Sequence, residues 1–339
     1  MGRRIGVQTV EIESKPRIIS TYNIVGPKEG QGPLSDYFDR ILEDDLNGTE
    51  SFEKAETSLL YTAVSESIKK AKLKEADINY LLAGDLLNQL FSSSFAARDL
   101  NIPFIGLYGA CSTMAESLSV GSMLMEGGFA NYVVAATSSH FSSAERQYRL
   151  PLEMGSQRAL TAQWTVTGSG AMVLGRKGDF PYVTHCTIGK VKDYAITDVN
   201  NMGVAMVPAA VDTIKQHFVD TGRKPSDYDI IATGDLGKLG RQFTEELLLE
   251  YKYDMKGHYM DCGEEIFDAQ KQGTNAGGSG CGCSAVVATG YLYRNMLMGK
   301  FKRILLVSTG ALLSPTSSLQ GESIPGIAHA VSIEFGVIK

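Results

Sequence analysis

Leu59, Leu60, Ala63, Val64, Ile68 and Ala71 recur at the spacing of a single helix face, so residues 55–72 read as an amphipathic helix. Elsewhere the chain carries short apolar runs rich in β-branched residues, at 78–83, 132–137, 171–175, 230–233 and 304–308. Runs this short and this apolar predict strands buried on both faces. Helix-like segments fall between them, at 114–126 and in the stretch leading to Phe301. Strands alternating with helices predict an α/β architecture in which helices cover sheets. Residues 1–50 are rich in Gly, Pro and charge and read as one strand near 6–12 followed by loops. A Ser/Pro/Gly-rich connection at 314–326 precedes a last strand at 328–335.

The pattern occurs twice. Leu81-Leu82-Ala83-Gly84-Asp85-Leu86 is answered by Ile231-Ala232-Thr233-Gly234-Asp235-Leu236. Gly109-Ala110-Cys111-Ser112-Thr113, then a helix ending Met123-Leu124-Met125-Glu126-Gly127-Gly128-Phe129, is answered by Gly280-Cys281-Gly282-Cys283-Ser284 and a helix ending Met296-Leu297-Met298-Gly299-Lys300-Phe301. Two halves, residues 1–178 and 179–339, are therefore expected about a pseudo-twofold axis, with equivalent loops meeting near it. The segment 140–170 interrupts the first half. It reads either as a functional or subunit-contacting excursion or as a plain surface loop.

Composition narrows the function classes. With 43% hydrophobic and 21% charged residues, the 339-residue chain can bury a substantial core. A net charge of -6 with scattered basic residues argues against nucleic acid or anionic lipid as a general partner. No apolar run approaches the ~18 residues of a membrane span. Met1-Gly2-Arg3-Arg4 is not followed by the apolar region of a signal peptide. Five cysteines suit a reducing compartment better than a disulfide framework.

Cys111 is placed between a strand and a helix N-terminus, where free amides and the helix dipole would lower a thiol's pKa and ready it as a nucleophile. The competing reading is a small buried apolar residue. Two readings also stand for His140: a base for Cys111, or a histidine satisfied elsewhere. His217 falls in a helical pattern and is expected to be solvated. Cys281-Gly282-Cys283 has no second Cys/His pair and makes a poor zinc motif. Asn275-Ala276-Gly277-Gly278-Ser279-Gly280 lacks the lysine of a phosphate loop.

The duplicated halves, Cys111 at the head of a helix, and Thr165-Val166-Thr167-Gly168-Ser169-Gly170-Ala171-Met172-Val173-Leu174 together resemble the thiolase and ketoacyl-synthase superfamily over nearly the whole chain. That resemblance implies a thiolase-like α/β fold, with two pseudo-twofold halves in a layered αβαβα sandwich. It also implies a homodimer paired through a strand next to the nucleophile helix, for which 132–137 is the candidate. In the superfamily a cysteine accepts an acyl group, helped by His and Asn or by His and Cys. The matching positions here hold Thr233-Gly234-Asp235-Leu236, Ser279, and Ser308-Thr309-Gly310, none of them His, Asn or Cys. Efficient condensation is not expected. The enzymatic alternative is acyl transfer onto Cys111.

More narrowly, Tyr108-Gly109-Ala110-Cys111-Ser112-Thr113, Ser139-His140-Phe141-Ser142-Ser143-Ala144-Glu145-Arg146 and Thr274–Cys283 resemble the stage V sporulation AD family of spore-forming bacteria. This implies non-catalytic binding of dipicolinic acid (pyridine-2,6-dicarboxylate), alone or as its calcium chelate, for uptake into the developing spore. It implies peripheral attachment to the spore inner membrane beside other proteins of the same operon, with no cofactor and no structural metal. The residues expected around the ligand are Cys111, Ser112, His140, Arg146, Ser279, Ser308 and Thr309.

Overall fold

The computed structural model describes residues 2–148 and 158–336. Where one strand was expected over 6–12, β1 (Arg3–Ile5) and β2 (Thr9–Glu11) form a hairpin. Gly6 takes the turn at φ 56°, and the Asp220 carboxylate accepts from the backbone N–H groups of Val7, Gln8 and Thr9. The first half continues with β3 (Arg17–Val25), β4 (Arg40–Ile41), α1 (Phe52–Lys70), β5 (Tyr80–Gly84), α2 (Phe91–Leu100), β6 (Phe104–Gly106) and α3 (Thr113–Glu126). It closes with β7 (Val133–Ser139), α4 (Phe141–Tyr148), β8 (Trp164–Thr165) and β9 (Gly168–Gly175). The second half runs β10 (Tyr182–Thr187), α5 (Met202–Thr221), β11 (Ile230–Thr233), α6 (Gly237–Glu250) and β12 (Tyr259–Asp261). The short helices α7 (Cys262–Glu265) and α8 (Ala269–Gln272) lead to β13 (Gly278–Ser279) and α9 (Cys281–Val287). A π turn joins α9 to α10 (Tyr293–Leu297), and β14 (Arg303–Ala311), α11 (Pro315–Leu319) and β15 (Gly326–Glu334) complete the chain.

The strand order states the duplication. One group reads β6-β5-β7-β9-β3 and the other β12-β11-β14-β15-β10, each with a parallel outer part and an antiparallel inner part. The two groups join through a single residue pair between β3 and β10, Arg17 with Tyr182. Helices α1 and α2 cover the outer face of the first group, while α5 and α6 cover that of the second. Helix α3 touches β5 and β7 of its own half and β14 and β15 of the other; α9 packs on β7 and β9 across the centre. The central core accordingly mixes residues of both halves, among them Leu82, Met114, Leu118, Cys283, Val286, Leu306 and Val331. The result is five layers, αβαβα.

Two expectations fail here for topological reasons. The run at 132–137 lies in β7, hydrogen-bonded to β5 on one side and β9 on the other, so it offers no edge for a second copy. Its nearly pure apolar character reflects burial on both faces. The edge of that group is β6, which among the described residues pairs only with β5. Residues 17–25, read as loop, form a nine-residue central strand. Ser20, Thr21 and Asn23 broke its apolar run, yet each is buried, and Ser20 and Thr21 donate to the Ser67 and Thr289 carbonyls.

Residues 149–157 of the 140–170 excursion lie outside the described residues. The rest is no plain surface loop: β8 pairs with β13 of the other half, Trp164 with Gly278 and Thr165 with Ser279.

Candidate functional site

Cys111 sits on a sharp turn at the end of the loop after β6. Ala110 adopts φ 48°, a left-handed conformation uncommon for a residue with a Cβ. The turn is fixed by its own hydroxyls. Ser112 Oγ donates to the Gly109 carbonyl at 2.6 Å, and Thr113 Oγ1 donates to the Ala110 carbonyl at 2.7 Å while accepting from the Gly109 N–H. Gly310 of β14 lies against this backbone so closely that a Cβ there would stand 2.3 Å from the Gly109 carbonyl. The two halves therefore meet at Cys111, as the repeat predicted.

The group facing the thiol is Asp235, at the end of the β11 strand path. It is fully buried and gathers donors from separate segments. Thr309 Oγ1 donates to Oδ1 at 2.7 Å, and Ser279 Oγ and the Gly280 N–H donate to Oδ2 at 3.0 and 3.1 Å; the Cys111 thiol interacts electrostatically with the same carboxyl. Burial raises the Asp235 carboxyl above its usual range, against the lowering effect of these donors. The same burial, reinforced by the Asp235 charge, pushes the Cys111 thiol well above its ordinary value. The lowered pKa expected from the helix dipole is thus reversed: desolvation beside a carboxyl outweighs the partial charge of a helix end. Cys281 and Cys283 turn away to the Ala110 and Gly234 carbonyls, and all five cysteines are free thiols. Among the described residues no group of three or more His, Cys, Asp or Glu side chains gathers to hold a metal.

Cys111 opens onto a cavity of about 380 Å³. Its apolar walls include Leu86, Tyr108, Tyr148, Met202, Met206 and Leu313. Its polar lining includes Glu145, Gln147, Gln163, Thr165 and Ser279. Gln163 donates from Nε2 to the carbonyls of Asp235 and Gly278, and its side-chain oxygen is buried with no hydrogen-bond partner among the described residues. The cavity is bounded from one side by residues 144–148 and 163–165 and from the other by α5 and the segment around α11.

Of the residues expected around a ligand, Cys111 and Ser279 line this cavity. Thr309 stands behind them, holding Asp235. Ser112 is spent on its own turn, and Ser308 Oγ donates to Ser284 Oγ within the buried centre. His140 and Arg146 are not brought to the thiol. His140 is buried against Phe52, its Nε2 2.7 Å from the Asp45 carbonyl and its Nδ1 accepting from the Ser142 N–H, and burial lowers its pKa. Arg146 lies on the outer side of α4 and grips Glu53 with two nitrogens. His217 is also corrected: it is fully buried between Thr187 and Tyr228, to which its two ring nitrogens bond. Asp235 was absent from the expected set, although its place in the repeated Gly-Asp-Leu sequence marked it.

The sequence profile of the stage V sporulation protein AD (SpoVAD) family matches residues 6–334. The stage V sporulation protein AD of Bacillus subtilis (strain 168) is 46% identical over 97% of this chain and 97% of its own. The chain belongs to the SpoVAD family. Its fold is thiolase-like. A variant of Xanthomonas campestris OleA superimposes with a TM-score of 0.62 at 14% identity, covering 95% of this chain and 98% of that one. The 3-oxoacyl-[acyl-carrier-protein] synthase III of Aquifex aeolicus gives 0.59 at 12% identity, over 94% and 100%. Cerulenin-bound OleA gives 0.61 at 13%, over 95% and 97%. At such identities these neighbours speak to the fold alone. The SpoVAD match makes this a sporulation protein. No helix among its described residues is long and apolar enough to cross a membrane.

Proposed function

We propose that this SpoVAD protein binds dipicolinic acid in the Cys111 cavity without covalent chemistry, as part of its uptake into the developing spore. The observation that carries the reading is the pairing of Cys111 with Asp235, where a condensing enzyme would need His or Asn. A thiol held protonated beside a buried carboxyl is a poor nucleophile, whereas the cavity beside it persists. Tyr108, Tyr148, Met202 and Met206 supply walls suited to an aromatic ring, and Ser279, Thr165, Gln147 and Gln163 supply hydroxyl and amide groups suited to carboxylates. Dipicolinate arriving with calcium is neutral; without it, the acid needs a counter-charge from the protein.

Isothermal titration of the full chain with dipicolinate, with and without calcium, tests the reading. It predicts saturable binding that survives Cys111→Ala; absence of heat under both conditions overturns it. The place of Cys111 at the head of α3, lining the cavity, carries a second reading, acylation of its thiol. Its signature is a mass adduct after incubation with acyl-CoA that Cys111→Ala abolishes. The reading extends to a homodimer paired through the open edge of β6, and to peripheral attachment at the spore inner membrane through other products of the operon.

A further inference from the structure

We infer that α11 is a lid that closes over the ligand held in the Cys111 cavity. The inference rests on the binding reading above and supplies what keeps the ligand in. A cavity of about 380 Å³ stands at the lower end of the range that encloses drug-sized molecules. A single pyridine ring leaves part of it to water unless a wall moves inward. Pro315, Ser318 and Leu319 of α11 line the cavity, and their i, i+3, i+4 spacing puts them on one face of the helix. Yet α11 contains no buried residue, and Leu319 is 89% exposed. A helix face turned to a cavity with nothing packed beneath it describes an open state. Tyr108, contributed to the same lining by the first half, is likewise open to water at 46%.

The local bonding lets α11 move as one piece. Ser314 and Ser317 form a capping box at its start. At its end the Gly321 N–H donates to the Ser318 carbonyl and the Glu322 N–H to that of Ser317, a Schellman closure with Gly321 at φ 77°. Among the described residues, every hydrogen bond made by 314–322 ends within 314–322, so a swing of this segment breaks none of them. Both stems are anchored. The Leu312 N–H donates to the Pro325 carbonyl and Leu313 packs on the α5 cluster; the Ile324 N–H donates to the Ile196 carbonyl and Ser323 Oγ to Asp193. No atom lies within 4 Å of where a Cβ on Gly321 would stand, which leaves that end room to turn. Swinging inward carries Leu319 out of water and onto the ligand ring, and this apolar burial favours the closed state. With the cavity filled by water that contact is not available, so closure is coupled to occupancy.

The five native cysteines are buried, so Leu319→Cys gives the full chain one accessible thiol. Its labelling by a small aromatic disulfide reagent is followed with and without saturating dipicolinate, in calcium and in chelator. Closure predicts labelling slower by about tenfold or more on binding. A ligand held in a cavity that does not move leaves a side chain this exposed equally reactive, and that result overturns the lid. Calorimetric titration of Leu319→Ala is the second measurement. Truncating a side chain that touches little in the free protein should leave its urea midpoint unaltered, but it removes burial from the closed state, and affinity should fall by about tenfold. Leu249→Ala, at an exposed leucine of α6 outside the cavity, should keep wild-type affinity. Wild-type affinity in Leu319→Ala overturns the inference, as does an equal loss in both variants. Absence of binding by wild type removes the proposed function and this inference with it, whereas binding that leaves the thiol at 319 unprotected removes the inference alone.

Discussion

Strands β5 and β11 occupy equivalent places in the two halves, and each runs into Gly-Asp-Leu: Gly84-Asp85-Leu86 and Gly234-Asp235-Leu236. Asp85 works locally. It accepts from the Leu87 and Ser93 N–H groups and from Ser93 Oγ, which ties the loop to the first turn of α2. Asp235 does nothing comparable for α6. There Asp261 accepts from the Leu236 and Gly237 N–H groups and from Thr233 Oγ1. Relieved of capping by a second carboxylate, Asp235 faces the centre, accepts from Thr309, Ser279 and Gly280, and acts electrostatically on Cys111. The difference teaches how one of two duplicated loops serves a different role: a neighbouring carboxylate carries the structural duty, and the loop's own side chain faces inward.

Substitution of the two aspartates is the strongest challenge to that comparison. Asp235→Asn puts an amide N–H₂ among groups that all donate, and should lower unfolding free energy by about 3 kcal/mol. Asp85→Asn disturbs a single helix start, and about 1 kcal/mol is expected. Urea unfolding of both proteins measures the gap; equal losses would erase the distinction. At the small end stands Arg146, whose ion pair with Glu53 is 44% exposed on the arginine side. Arg146→Ala should change stability by less than about 1 kcal/mol and leave dipicolinate titrations unaltered. A large loss of affinity there would move the site to the outer face of α4.

Much of this was legible along the chain. The paired apolar runs at 78–83 and 230–233, and the two Cys-bearing turns, gave the duplication and placed Cys111 where the halves meet. What the sequence conceals has a physical cause. β3 carries Ser20, Thr21 and Asn23, whose burial is made tolerable by partners distant in sequence, and no local pattern reveals such partners. His140 looked available because it follows β7, but its two nitrogens are satisfied by Asp45 and Ser142. In the sequence Asp235 reads only as a residue standing where a condensing enzyme has His or Asn. The donors that converge on it come from β13, β14 and Gly280, and only folding brings them together.

The central claim is that Cys111 is kept as a protonated thiol by burial beside Asp235. Its most direct measurement is the pH dependence of Cys111 alkylation by a small uncharged reagent, read by peptide mass. The account predicts slow labelling with a midpoint well above the ~8.5 of a free thiol. Asp235→Asn should shift that midpoint downward. Rapid labelling with a midpoint below neutrality would reveal an activated thiolate and contradict the account.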